Sequence, residues 1–307
     1  MALVAMTGAT GFVGNALARY LVQRGERVRL LHRSVTPPFA LPQGSAWVRG
    51  DLDDHAALSR LVEAVDAAVH CAGAIRGATA AVFQRTNVAG TKNLMMALGR
   101  QPQTPHLVVL SSLAAREPDL SEYARSKHDE EQVVASSGHA AAVLRPPAIY
   151  GPGDRSLADL FAFLKRGWCP MIGQGRFSLL YVQDLLEAIA TLLQQRATGV
   201  MTLHDGREGG YCWADVAEAA QTVLGRPMRC LKLPDGLVRF LAASNTALGR
   251  LRGVDPLFTT GKARELLHAD WVCDNVDITA TSTWQPSWPL DRAMRVMWGL
   301  ADARESP

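Results

Sequence analysis

The stretch that most restricts what this chain can fold into spans residues 2–25, ALVAMTGATGFVGNALARYLVQRG. An apolar run, a glycine-rich turn holding Gly8, Gly11 and Gly14, and an amphipathic run follow one another without a break. ALVAMT reads as a buried strand. FVGNALARYLVQRG repeats its apolar residues at helical spacing and meets Gly25 where a helix would end. Glycines between strand and helix allow a tight turn and let backbone N–H groups approach a pyrophosphate at the positive helix terminus. The strand before and the helix after are the context that makes a glycine triplet a dinucleotide-binding signal.

The alternation continues. RVRLLHR, AWVRGDL, AAVHCAG, HLVVLSS and AAAVLRP read as strands, separated by the helices HAALSRLVEAV, AAVFQRTNVAGTKNLMMALG and SEYARSKHDEEQVVASSG. This order predicts an α/β fold, a doubly wound parallel Rossmann sheet. After RPPAIYGPGD the rhythm changes to helices punctuated by Pro and Gly, and six of the seven tryptophans fall there. The expected division is an NADP-binding Rossmann domain over 1–155 and a smaller, mixed C-terminal substrate lobe over 156–307. Part of 178–204, GVMTLHD above all, should return a strand to the main sheet. The last residues, ADARESP, read as a frayed end.

Composition removes several function classes. A net charge of +3 with no Lys/Arg block argues against a nucleic-acid surface. The five cysteines form neither a disulfide framework nor a ligand spacing, so no metal site and a reduced, cytoplasmic setting are expected. No run approaches the ~20 apolar residues of a membrane span, and the start lacks the basic segment of a signal peptide.

The end of the second strand bears on which dinucleotide is bound. An acid there would meet the ribose 2′-OH of NAD, and an arginine a 2′-phosphate. The sequence is LHRS, with Arg33 in reach; Asp51 follows the next strand and is expected near the adenine. NADP(H) is favoured over NAD(H).

Tyr123 stands four residues before Lys127 on the helix after VVLSS, so their side chains are neighbours. A free tyrosine titrates near pKa ~10, and a neighbouring ammonium would help it act at neutral pH. With the glycine loop, VVLSS and YARSK in this order, the chain resembles the short-chain dehydrogenase/reductase superfamily. The longer C-terminal lobe resembles its extended branch, which includes nucleotide-sugar epimerases and dehydratases, 3β-hydroxysteroid dehydrogenases and dihydroflavonol reductases. GDLDD, HCAG, RTNVAGTKNL, LRPPAIYGPGD and GQGRFSLLYVQDLLEAI match as well, so the resemblance covers residues 1 to about 195. It implies that Tyr123 is the general acid/base, Lys127 its partner and a hydrogen-bond donor to the nicotinamide ribose, and Ser112 rather than Ser111 the orienting hydroxyl. Asn87 would shape its helix and a proton path. It further implies cofactor contacts from Thr10, Phe12, Val13, Leu52, Ala72, Gly73 and Pro146, beside Gly8, Gly11, Gly14, Arg33, Asp51, Tyr123 and Lys127. A homodimer through the helices bearing Asn87 and Tyr123 is a further expectation.

The substrate is a small molecule whose class the motifs leave open. Sugar-nucleotide members place an arginine after the GxG of the second lobe; here Phe177 takes that position, with Arg176 one residue away. The loop from Ser112 to Tyr123 is also short. The leading expectation is an NADPH-dependent oxidoreductase that interconverts a ketone and a secondary alcohol on a small, mainly apolar molecule. A nucleotide-sugar epimerase or dehydratase, and a non-catalytic NADPH-binding subunit or sensor, are the alternatives. Trp168, Trp213, Trp271 and LPDGLVRFLAASNTALGRLRG either line an apolar pocket or, as expected more often of aromatic residues, fill the lobe's core. Asp184 is expected to cap the helix that follows it. Cys71 is expected to be inert, and FTTGKARELLHADW has no assigned role. If Arg33 reads the 2′-phosphate, Arg33→Ala should weaken NADPH by about tenfold or more and NADH far less, measured by fluorescence titration; equal losses would place the reading elsewhere.

Overall fold

The computed structural model describes the chain except residues 35, 37, 38, 78, 253–257 and 301–307. The end read as frayed, 301–307, lies outside the described residues. The first half runs β1 (Leu3–Thr7), α1 (Phe12–Gln23), β2 (Arg27–His32), β3 (Ala46–Arg49), α2 (His55–Val62) and β4 (Ala67–His70). A long helix follows in three parts: α3 (Ala80–Phe83), a π-helical segment (Gln84–Ala89) and α4 (Gly90–Gly99). Then come β5 (His106–Leu110), α5 (Glu122–Ser136) and β6 (Ala141–Arg145). The remainder is β7 (Ala148–Tyr150), α6 (Ala158–Lys165), β8 (Trp168–Ile172), β9 (Arg176–Phe177), β10 (Leu179–Tyr181), α7 (Val182–Gln195), β11 (Gly199–Thr202), α8 (Trp213–Leu224), β12 (Arg229–Leu233), α9 (Asp235–Arg252), α10 (Thr260–Leu267), β13 (Asp270–Trp271), α11 (Val276–Thr281) and α12 (Leu290–Trp298).

Seven strands form one parallel sheet in the order β3-β2-β1-β4-β5-β6-β11. The expected returning strand is β11, which pairs in parallel with β6 from Gly199↔Ala142 to Thr202↔Arg145. Strand alternation sorts the side chains to two faces. Val4, Met6, Val28, Leu30, Val108 and Leu144 pack with α1 and α7. Ala5, Leu31, Ala68, Leu107, Val109 and Val143 pack with α2, α4 and α5. Because both faces are covered, the strands read as continuous apolar runs in the sequence. The strand order reverses between β1 and β4, so a crevice opens at their carboxyl ends. Helix α1 stops as expected: Gly25 takes φ +82°, its N–H reaches the Val22 carbonyl at 3.0 Å, and Glu26 N–H reaches Leu21 O at 3.0 Å.

The C-terminal residues build a second core around Tyr150, Phe161, Leu164, Tyr181, Trp288 and Trp298. Asp184 corrects the sequence reading here. It lies inside the first turn of α7 and does not cap it; the residue before the helix is Tyr181, whose side chain makes no capping bond. The carboxylate is fully buried and accepts from Ser287 N (2.9 Å), Ser287 Oγ (3.1 Å) and Trp288 N (3.1 Å). Burial pushes its pKa up to about 6 against the pull of those donors. A distant loop, invisible to local pattern, claims the side chain. Asp184→Asn turns one accepting oxygen into a donor and should cost about 1–3 kcal/mol in urea unfolding; an unchanged midpoint would mean that this clamp holds nothing.

Candidate active site

At the carboxyl end of β1 the chain turns through Gly8, whose φ is +73°. A Cβ on Gly8 would stand 2.5 Å from Ala72 N, and one on Gly14 would stand 2.1 Å from the Gly8 carbonyl oxygen. The turn therefore closes only with glycine at both positions. Gly11 N–H binds Gly8 O at 2.9 Å and Gly11 precedes the first residue of α1, so the amides of Phe12 and Val13 open that helix. Thr10 is exposed and Phe12 is half-buried against Gly153. A tight turn that admits no side chain at Gly8 or Gly14, above an open helix terminus, fits a dinucleotide pyrophosphate.

Arg33 is exposed immediately after β2, and no acid accompanies it there. Asp51 is held in a turn, its Oδ1 accepting from Asp53 N (2.9 Å) and Asp54 N (3.1 Å). Leu52 packs against Gly90, where a Cβ would meet its Cδ1 at 2.6 Å. Ala72 N–H donates to Thr7 Oγ1 at 3.3 Å, joining the ends of β1 and β4. Pro146 is buried and its carbonyl accepts from Leu113 N at 2.8 Å.

Gly73 sits where the two halves of the site meet. A Cβ there would lie 3.4 Å from Asn87 Oδ1 and 3.8 Å from Lys127 Nζ. Asn87 is fully buried within the π-helical segment. Its Oδ1 accepts from Ala74 N at 2.6 Å, and its Nδ2 donates to Ala74 O (3.1 Å) and Ser126 Oγ (2.8 Å). One amide thus fastens the loop after β4 to α5. π-Helical turns interrupt α-helices frequently at functional sites.

Tyr123 and Lys127 occupy the first two turns of α5, which Ser121 caps by accepting from Ala124 N at 2.9 Å. Tyr123 is half-buried, edge-on to Phe83. Lys127 is only 4% exposed; its ammonium donates to the Leu110 carbonyl at 2.8 Å and pairs with Glu130. Burial alone would lower the Lys127 pKa, but the Glu130 carboxylate, and after it Tyr123, outweigh burial and raise it. The two serines differ: Ser111 is buried and donates to Glu131 at 2.5 Å, whereas Ser112 is half-exposed, its Oγ accepting from Ala114 N at 3.2 Å. Glu131 also holds Arg145 through both oxygens, at 2.9 Å to Nε and 2.5 Å to Nη2.

Behind Lys127 lies a buried polar chain that the sequence did not announce. His70 is fully buried, with Nδ1 2.6 Å from Thr7 Oγ1 and Nε2 2.8 Å from Thr91 Oγ1 and 3.6 Å from Glu130 Oε1. Burial, and then Lys127, hold its pKa down at about 3. Burial pushes the Glu130 carboxyl up to about 7, with Lys127 pulling the other way. The available signal was an acid one turn after Lys127, in the pair Glu130–Glu131. Burial lifts the Cys71 thiol to about 12, which fits an inert cysteine.

FTTGKARELLHADW also finds a place. Ser121 Oγ donates to Glu265 of α10, Lys262 pairs with Glu265 at 2.9 Å, and Gly261 approaches so closely that a Cβ would stand 2.9 Å from Ser121 Cβ. This helix steadies the start of α5 two residues before Tyr123, and burial of Lys262 is outweighed by the Glu265 carboxylate, which raises its pKa. Trp213 and Trp271 serve the lobe's packing, donating to Ile172 O (2.6 Å) and Glu265 O (2.7 Å). Trp168 departs from the core expectation, being 43% exposed beneath the Arg229 guanidinium. Arg176 is spent on the Gly209 and Gly210 carbonyls at 2.6 and 2.9 Å, and Phe177 packs on Trp213. An open cavity of about 620 Å³ beside Arg207, Tyr211 and Asp215 contains none of the sequence-predicted site residues. Among the described residues, no three His, Cys, Asp or Glu side chains form a metal-ligand group, and no helix is long and apolar enough to cross a membrane.

Residues 4–202 match the NAD dependent epimerase/dehydratase family. Among curated proteins, the chain is 37% identical over 272 residues to a ceramide reductase of Caulobacter vibrioides, covering 88% of this chain and 85% of that protein. It is 34% identical over 195 residues to a 2-alkyl-3-oxoalkanoate reductase of Stenotrophomonas maltophilia, covering 56% of this chain and 58% of that one. A human epimerase family protein solved with NADPH superposes with a TM-score of 0.75 at 21% identity, over 96% of this chain and 98% of that one. The glycine turn, the seven-stranded parallel sheet and these matches agree, and the chain belongs to the NAD dependent epimerase/dehydratase family as an NAD(P)-dependent oxidoreductase of the extended short-chain dehydrogenase/reductase type.

Proposed function

We propose that this oxidoreductase uses NADPH to reduce a ketone to a secondary alcohol on a long-chain, mainly apolar lipid of the ceramide type. Residues 1–155 would carry the cofactor and 156–307 the substrate lobe. The observation that carries the reading is the half-exposed Tyr123 beside a buried, charged Lys127, in a chain 37% identical to a ceramide reductase. Arg176, one residue from the position where sugar-nucleotide members place an arginine, is already engaged with backbone carbonyls. Exposed Arg33 without a neighbouring acid favours a 2′-phosphate.

When bound, the reduced nicotinamide supplies the hydride. Ser112 and Tyr123 donate hydrogen bonds to the substrate carbonyl oxygen and fix its orientation. As the carbon–oxygen π bond breaks and a C–H bond forms, the Tyr123 proton moves to that oxygen. The Lys127 ammonium stabilises the phenolate left behind, which then regains a proton from solvent. Glu130 accepts from the Lys127 ammonium and keeps it in place, carrying a full counter-charge only above its pKa of about 7.

Tyr123→Phe should lower kcat by about a hundredfold or more while leaving NADPH affinity nearly unchanged, read in an NADPH-oxidation assay with long-chain ketolipids; turnover retained in that variant would remove Tyr123 from the mechanism. Glu130 gives a pH signature. Its folded pKa near 7 exceeds the unfolded carboxylate value, so its contribution is fully present below about pH 4.5 and is lost as pH rises through 7. Between pH 5 and 7.5 the wild type should therefore lose about 1–3 kcal/mol relative to Glu130→Gln in denaturant unfolding. Parallel stability curves would show that Glu130 is ionised throughout.

A further inference from the structure

Helix α9 carries two apolar faces, and the fold uses one. Val238, Ala242 and Thr246 are buried, the first two packing with Ala263 and with Ile172, Leu233, Phe258 and Leu267. The other face presents Leu237, Phe240, Leu241 and Leu248, exposed by 44, 67, 49 and 42%. Their spacing of three, four and eleven residues from Leu237 sets them in one stripe along the helix. This is the segment that the sequence left between pocket lining and lobe core, and its outward stripe is neither. The strand leading into it, β12, exposes Leu231 by 53% and pairs with β8 so that Arg229 stands opposite the exposed Trp168.

Charge indicates what covers this face. Residues 226–252 hold six basic residues and one acidic, whereas the chain's net charge is only +3, so the remainder is net negative. A second copy of this chain would set two such positive segments against each other across a symmetric interface. An anionic bilayer offers both what the apolar stripe lacks and what the basic residues attract. We propose that α9, with the edge formed by β12 and β8, is a docking surface for an anionic phospholipid membrane, the stripe lying at the headgroup–acyl boundary. The proposal deepens the lipid-ketone reading and rests on it for its purpose. Helix α9 packs on α10, and α10 holds the cap of α5, so the docking surface is joined through one helix to the one that carries Tyr123.

The test is flotation of the full chain with phosphatidylcholine vesicles, with and without about 30% phosphatidylglycerol. The chain should bind the anionic vesicles about tenfold or more tightly than the neutral ones, and about 0.5 M salt should weaken that binding. Phe240→Ser with Leu241→Ser, and separately Lys232→Glu with Arg239→Glu, should each weaken it about tenfold while leaving NADPH affinity and reduction of a detergent-dispersed ketolipid unchanged. Equal, weak binding to both vesicles overturns the proposal, as does sedimentation showing a dimer that the serine variant converts to monomer. Ketolipid reduction in detergent without vesicle binding would remove the docking surface alone. Vesicle binding without reduction of any ketolipid would leave the docking surface and remove the lipid-ketone reading.

Discussion

The buried ammonium of Lys127 is the constraint around which the rest of the site is arranged. Taking such a charge out of water costs several kcal/mol unless acceptors are fixed around it. Here the acceptors are the Leu110 carbonyl at the end of β5 and the Glu130 carboxylate one turn along α5. Both work only if α5 keeps a fixed height against the sheet. Ser121 and Glu265 fasten its start, Asn87 holds Ser126, and Glu131 ties it to Ser111 and Arg145 of the neighbouring strands. The helix that presents Tyr123 is thus located by several polar contacts along its length, which suits the proton-transferring role proposed for that residue.

Much of the frame was legible in the sequence because its causes are local. The apolar runs become strands covered on both faces, and Gly14 is required by contact within the turn it forms, while Gly8 answers both to its positive φ and to the chain leaving β4, which presses on it from across the sheet. Ser112 was set apart from Ser111 by the resemblance alone; the structure buries Ser111 on Glu131 and leaves Ser112 half-exposed. What could not be read was set by distant partners. Asp184 looks like a cap until Ser287 and Trp288, a hundred residues away, arrive to claim it. Glu130 looks like a surface charge until His70, Thr91 and Lys127 enclose it. Trp168 and the outer stripe of α9 look like core because residue type does not reveal which of two apolar faces the fold will use.

One fold hosts many reactions, so the reaction this chain performs must be argued from its own site and second lobe. In this chain the second lobe commits Arg176 to its own backbone and turns apolar residues outward on α9. A sugar nucleotide asks for neither arrangement, whereas a membrane-borne ketone is consistent with both.

The most direct test follows the hydride. With NADPH deuterated at the transferring C4 position and a ketolipid substrate, the account predicts a single deuterium on the carbinol carbon of the product and an equivalent amount of NADP⁺ released. An unlabelled product, or a cofactor that ends the reaction still reduced and still carrying its label, would contradict net reduction by this site.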